Sequence, residues 1–398
     1  MKFVQVRPET IVLGQPLPFS LHTEDGSLLA NKGFVIWSRP ELDMLHEKRA
    51  IFIELPAAMA RAHSIRLNSL LNQDTTLGAI AESTLSDLTP LIRSNMVRDS
   101  RVDWHAFQLR TNRVLRDANS PDAMLRLQQL HHDLSRQVLL YPDASLLALI
   151  HLSSTDTELY SATHALLVST MCMLAARDVL GWDEERQQVL SMAALTMNFA
   201  MTEMQDQLAK QKQAPTHQQK AIIFQHPEVS VQLLQQVGVT DSRWLDAVFH
   251  HHSVQPGPLK DRDLHLQMAR LIQRSDVFSA RLAPRAARAG MTTPSALQAA
   301  YFDERRQVDE AGAALVKAVG IYPPGSFVKL INNEVATVIK RGPNTATPKV
   351  AVLLNKSGNP TGIPIVRHTG LGDFRISGSL LHCDVKIHFD LNRMLLLV

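Results

Sequence analysis

Four histidines and one aspartate stand in an order that could hold a metal ion: His164, His226, the tandem His251 and His252, and Asp276. Imidazole nitrogens and carboxylate oxygens are the donors that borderline divalent cations prefer. Three histidines are enough to hold a zinc-like ion tetrahedrally with water in the fourth position. These residues lie far apart in the chain, so only tertiary packing can bring them together. His250 extends the tandem pair to three, but successive residues on a helix point in different directions, so it reads as structural or exposed.

Ligands on separate segments need a rigid frame, and the hydrophobic pattern predicts a mainly α protein: a helical bundle core with small β modules at the N- and C-terminal ends. Residues 1–55 carry short alternating runs, VQVR, IVLG, GFVIW and IFIEL, split by Pro, Gly and Asp-Gly turn signals. They predict an N-terminal β module. Residues 56–140 turn helical, with Leu67, Leu70, Leu71 and later Leu125, Leu127 and Leu130 at three- and four-residue steps, and form a helical linker region. Residues 141–320 show the strongest helical periodicity and hold every candidate ligand. Within them Thr216 and Gln219 fit a capping box, and Gly238 suits the end of the same helix, which places His226 inside it. Residues 321–398 change to SFVKLI, EVATVIKR, PKVAVLLN and FRISGSLL between turn signals, a C-terminal β extension.

Composition narrows the partners. The 398 residues are 45% hydrophobic and 20% charged, enough for a substantial core in two or more domains. A formal charge of +3 gives no argument for nucleic acid or an anionic membrane as partner. Only two cysteines, Cys172 and Cys383, are present and far apart, which fits a reducing compartment. No secretory signal and no membrane-length apolar stretch is visible, so the expected location is the cytoplasm.

The segment YPDASLLALIHLSSTDTELYSATHALLVSTMCMLAARDVLGWDEERQQVLSMAALTMNFAM resembles the first half of a bacterial HD-GYP domain, the cyclic di-GMP phosphodiesterase branch of the HD metal-dependent phosphohydrolases. The resemblance continues in order through FQHPEVSVQLL, WLDAVFHHHSVQPGP, RLIQRSDVFSARLAPRAAR and IYPPGSFVKLINNEVATVIKR, over about residues 141–350. It implies that His226, His251 and His252 serve one metal position, while His164 and Asp276 remain from the other.

The same resemblance exposes what is missing. Active members follow Ala-Ala-Leu with Leu-His-Asp-Ile-Gly-Lys; here Ala193, Ala194 and Leu195 lead into Thr196, Met197, Asn198, Phe199, Ala200 and Met201. The His-Asp pair is thus replaced by Met197 and Asn198, and the lysine by Met201. In the family that aspartate bridges two metal ions, and a neutral amide cannot supply the bridging anion. Past His252 the glutamate and the Gly-Tyr-Pro loop are absent. Further on, Asp276, Val277, Phe278, Ala280, Arg285 and Arg288 follow the family run, and the resemblance places Arg285 and Arg288 toward a substrate phosphate, which a guanidinium fork suits.

Each position has a plainer alternative. His164 reads equally as a satisfied core histidine. Arg281, Arg285 and Arg288 read equally as a solvated helix face. His131, His132 and Asp133 make another His-Asp word, read here as a surface helix.

Three functions compete. The first is a catalytically degenerate HD-GYP-like signalling or interaction protein with a protein partner. The second is a phosphohydrolase with a rebuilt or mononuclear site holding one divalent ion, Fe, Mn or Zn. The third is a receptor that binds cyclic di-GMP or a related nucleotide without cleaving it.

Overall fold

The structure, a computed structural model, describes residues 3–6, 17, 20–23, 28–30, 36, 51–54, 102–254, 257–387 and 389–398. Two compact units divide at Arg101 and Val102.

In the first unit, β1 (Phe3–Val6), β2 (Leu21–His22), β3 (Leu28–Ala30) and β4 (Ile51–Glu54) form an antiparallel sheet in the order β1-β4-β2-β3. Phe3 pairs with Glu54, and Leu21 with Ile53. The runs VQVR and IFIEL contribute β1 and β4. The runs IVLG and GFVIW fall outside the described residues except for Ile36, which is buried. The leucines expected on a helix near residue 70 also lie outside them.

The second unit is helical at its centre. Its helices are α1 (Trp104–Arg116), α2 (Ala123–Leu140), α3 (Pro142–Thr155), α4 (Tyr160–Asp178), α5 (Glu184–Thr196), α6 (Thr202–Lys210), α7 (His217–Gln236), α8 (Ser242–His250), α9 (Leu264–Leu282), α10 (Thr293–Tyr301) and α11 (Glu310–Val319). A single 3-10 turn, Phe199–Met201, joins α5 to α6. Every residue from Tyr160 to Ala176 is buried, so α4 is the axis on which its neighbours pack. A helix apolar all round belongs in the interior of a bundle. No single helix among the described residues is long and apolar enough to cross a membrane.

The C-terminal part adds β5 (Phe327–Leu330), β6 (Val335–Lys340), β7 (Lys349–Leu354), β8 (Pro360–His368) and β9 (Ile376–Leu380), then α12 (Leu391–Leu395). The sheet is antiparallel in the order β8-β7-β6-β5-β9. One apolar core runs from Trp104 on α1 through α4 and α5 to Phe327, Ile339, Ala351 and Leu395. The helices expected in the linker region over 102–140, and the strands expected past 321, therefore share it.

His131 differs from expectation. The segment was read as a surface helix; His132 is exposed, but His131 is buried, with Nε2 bonded to Ser191 Oγ on α5 at 2.5 Å. Burial pushes its pKa down to about 4, helped by the like charge of His132. The ordinary value in an unfolded chain is about 6.5, so the folded state holds fewer protons. The resulting stability is complete above pH 6.5 and is lost as pH falls toward 4. Between pH 7 and 5 this site alone should remove about 2 kcal/mol. Urea unfolding of wild type and His131→Gln at both pH values checks it: the variant should lose less stability on acidification.

Candidate metal centre

Each ligand-type residue is delivered by a different element. His226 sits on α7, whose start is fixed by the expected capping box: Gln219 N donates to Thr216 Oγ1 at 3.2 Å, and Thr216 N to Gln219 Oε1 at 2.9 Å. Gly238, at φ +97°, lies just past its end, a left-handed conformation that glycine adopts without cost. His251 and His252 lie where α8 stops, and Asp241 caps the other end of α8. His164 stands on the buried α4, and Asp276 faces it from α9.

Three of the five converge. His226, His251 and His252 offer ligand atoms that all lie within 4.8 Å of one another. His226 Nε2 and His251 Nε2 are 3.1 Å apart. His226 Nδ1 faces the Ile223 carbonyl, and His251 Nδ1 faces the Val248 carbonyl at 2.6 Å. A carbonyl accepts only, so each Nδ1 carries the proton and each Nε2 presents a lone pair. Two lone pairs at that separation repel unless a cation lies between them. Donors bound to one ion at about 2.0–2.1 Å are themselves roughly 3 Å apart, so the spacing fits a shared divalent ion. Burial pushes His226 down to about 4 and His251 to about 3, which favours the neutral, ligating form.

His164 and Asp276 form a separate pair. His164 Nδ1 is 2.9 Å from Ser279 Oγ, and Nε2 is 2.9 Å from Asp276 Oδ1. The second approach is an ion-pair contact; its angle does not make an aligned hydrogen bond, and Nε2 has no other partner. Burial works to raise the Asp276 carboxyl, but His164, with help from His252 and His251, outweighs it and holds the group at about 2. Asp276 is therefore an anion facing the histidine cluster.

Met197 and Asn198 are both uncharged. Met197 is 1% exposed and packs in the main core beside Phe199. Asn198 opens the 3-10 turn, and its carbonyl accepts from Met201 N and Thr202 Oγ1. Met201 is buried as well.

Arg285 and Arg288 direct their donors at the protein. Arg285 Nη2 donates to Tyr160 Oη at 2.9 Å, with its guanidinium carbon 5.1 Å from the Tyr160 ring centre. Tyr160 in turn stacks on His164, with ring centres 5.6 Å apart and an interplanar angle of 11°. Arg288 donates to the carbonyls of Ala280 and Ala289, and the two arginine backbones close a tight turn on each other. His250, half-buried, faces Ser253 Oγ and stays out of the cluster. Tyr160 and Ser279 escape a search for ligands. Their signal is spacing: Tyr160 is four residues before His164, and Ser279 three after Asp276, each pair on one helix face.

The chain is similar to the cyclic di-GMP phosphodiesterase PA4108 of Pseudomonas aeruginosa, 25% identical over 255 residues, which are 61% of this chain. The chain spans 59% of that relative's length. Among solved structures it is similar to Bd1817, an HDG"Y"P protein from Bdellovibrio bacteriovorus, at 16% identity and a TM-score of 0.42, covering 79% of this chain and 98% of that one. No protein-family model matches the chain.

Proposed function

We propose that this protein is a catalytically degenerate HD-GYP-like signalling module that keeps one divalent cation on His226, His251 and His252 and does not hydrolyse cyclic di-GMP. The observation that carries it is Met197, whose side chain lies in the apolar core where the resemblance expects a metal ligand. Beside it, Asn198 cannot bridge two cations. Imidazole ligands suit Zn or Fe, and Mn less well.

When bound, the ion would supply a Lewis acid and lower the pKa of a coordinated water. The chain's own residues set the rest. The Ile223 and Val248 carbonyls hold the two Nε2 lone pairs toward one point, and Asp276 adds a negative field. His164 and Asp276 contact each other, and two side chains are too few to hold a second ion. Two-metal hydrolysis clamps the attacking and leaving oxygens between ions about 3.5–4 Å apart, and that clamp is lost here.

The test is direct. Metal-replete protein incubated with cyclic di-GMP should release no linear dinucleotide above a metal-only blank. Product that disappears in His251→Ala would overturn the reading. Binding of cyclic di-GMP without cleavage is the second reading, motivated by the relative's name and by the surviving arginines. The tyrosine and carbonyl partners of Arg285 and Arg288 weigh against it.

A further inference from the structure

Far along the chain from the histidine cluster, two imidazoles meet inside a group of stacked rings. His151, on α3, stacks on Phe389, with ring centres 4.2 Å apart and an interplanar angle of 27°. His382 stacks on Phe327 of β5 at 4.2 Å and 26°. The two histidine rings are 5.9 Å apart, and the two phenylalanines 5.5 Å. The cluster thus joins a bundle helix, a sheet strand and the C-terminal segment.

The polar atoms there are not satisfied. His151 Nδ1 and His382 Nε2 are both shut off from solvent and have no hydrogen-bond partner. The Gly325 backbone lies beside His382 and works against the effect of its burial. Gly325 itself, at φ +97°, lies so close to α3 that an added Cβ would fall 2.9 Å from Ile150 Cβ. Both histidines are half-buried, and these two nitrogens are closed to solvent while the segment stays docked.

The segment beyond them is held mainly by apolar contact. Val385, Met394 and Leu395 are buried in the main core, and Ile387, Phe389 and Leu391 pack against it. On these elements the charged side chains Lys329, Lys340, Asp384, Lys386, Asp390 and Arg393 are exposed. Asp143, at the far end of α3, is paired with Arg341. Among the described residues, the group whose charge acts on His151 is His382.

We propose that residues 381–387 and 389–398 belong to a strap whose docking on α3 is released by acid, with the facing rings of His151 and His382 as the proton acceptors. A neutral imidazole packs as an apolar disc with one donor and one acceptor. A protonated ring needs partners for two N–H groups, and here one nitrogen on each ring has none. Charging both also sets two cations side by side. Undocking relieves both penalties by returning the rings to water.

The sign is fixed by the docked state. Burial pushes His151 down to about 3, with His382 adding to it, and pushes His382 down to about 4 against the effect of the Gly325 backbone. Released rings return to about 6.5. The docked strap binds fewer protons, so docking is complete above pH 6.5 and weakens as pH falls toward 4. Over the first pH unit below 6.5 each histidine shifts the equilibrium about fivefold, roughly thirtyfold for both together.

Amide hydrogen exchange of the full chain tests this, read as protection factors referred to the intrinsic rate at each pH. Between pH 6.5 and 5.5, amides of 385–387 and 389–395 should lose about thirtyfold more protection than those of α4. In the ring-preserving double variant His151→Phe with His382→Phe, that excess loss should vanish. Equal loss in the strap and α4 in wild type, or an unchanged excess in the double variant, would overturn the proposal. If the double variant does not fold, the wild-type comparison of strap with α4 still decides.

Discussion

His251→Ala is expected to lower the affinity of the protein for a divalent cation by about a hundredfold or more. Loss of a supporting partner around a metal ligand alone costs about 10–100-fold, and loss of the ligand itself should cost at least as much. His251 is 1% exposed, and its Nε2 faces that of His226 at 3.1 Å. Among the described residues no carboxylate joins the cluster, and Asp276 is engaged with His164. His226→Ala should behave alike. His250→Ala, three residues from Ser253 and outside the cluster, should leave affinity unchanged. Isothermal calorimetry with zinc on chelator-stripped protein gives all three values.

Arg270→Met is expected to cost about 3–5 kcal/mol of folding stability. Arg270 is 5% exposed, and its guanidinium contacts Asp309 at 2.6 and 2.7 Å and Glu304 at 3.0 and 3.1 Å. Asp309 is itself buried and caps α11 by accepting from Gly312 N at 3.0 Å. Without the arginine a buried carboxylate is left uncompensated, which is the costly case. Glu304 is 41% exposed, so solvent screens it and Glu304→Gln should cost under about 1 kcal/mol. This network ties α9 to the segment between α10 and α11, so it also fixes the helix that carries Asp276. Denaturant unfolding of the two variants at pH 7 measures the contrast.

Much of the frame was legible in the sequence, because its signals are local. Thr216, Gln219 and Gly238 bracketed α7 through cap chemistry, and four of the five C-terminal strands followed alternating or β-branched runs. The strand β8, which holds Pro360 and Pro364, was not singled out. Both are tolerated because β8 lies at the edge of its sheet. His131 was misread through its polar neighbours. Its own period was the better guide, for Leu127, Leu130, Leu134 and Val138 line the same buried face.

The site was legible as a set of residues and not as a geometry. His226 and His251 meet only because α7 and α8 fold back on each other, and no spacing rule gives a 3.1 Å contact. Likewise the inward turn of Arg285 onto Tyr160 depends on the backbone after α9. Met197 and Asn198 could be read at once as residue types that differ from the His-Asp pair the resemblance expects. What the fold adds is that Met197 lies in the apolar core.

The most direct measurement is the number of divalent ions per chain, by elemental analysis of purified protein dialysed after loading with zinc, beside His226→Ala. One ion per chain in the wild type, lost in the variant, is the predicted result. Two ions per chain would mean that a bridge has been rebuilt without the His-Asp pair, and none would mean that the histidine cluster is not a metal site; either would contradict the account.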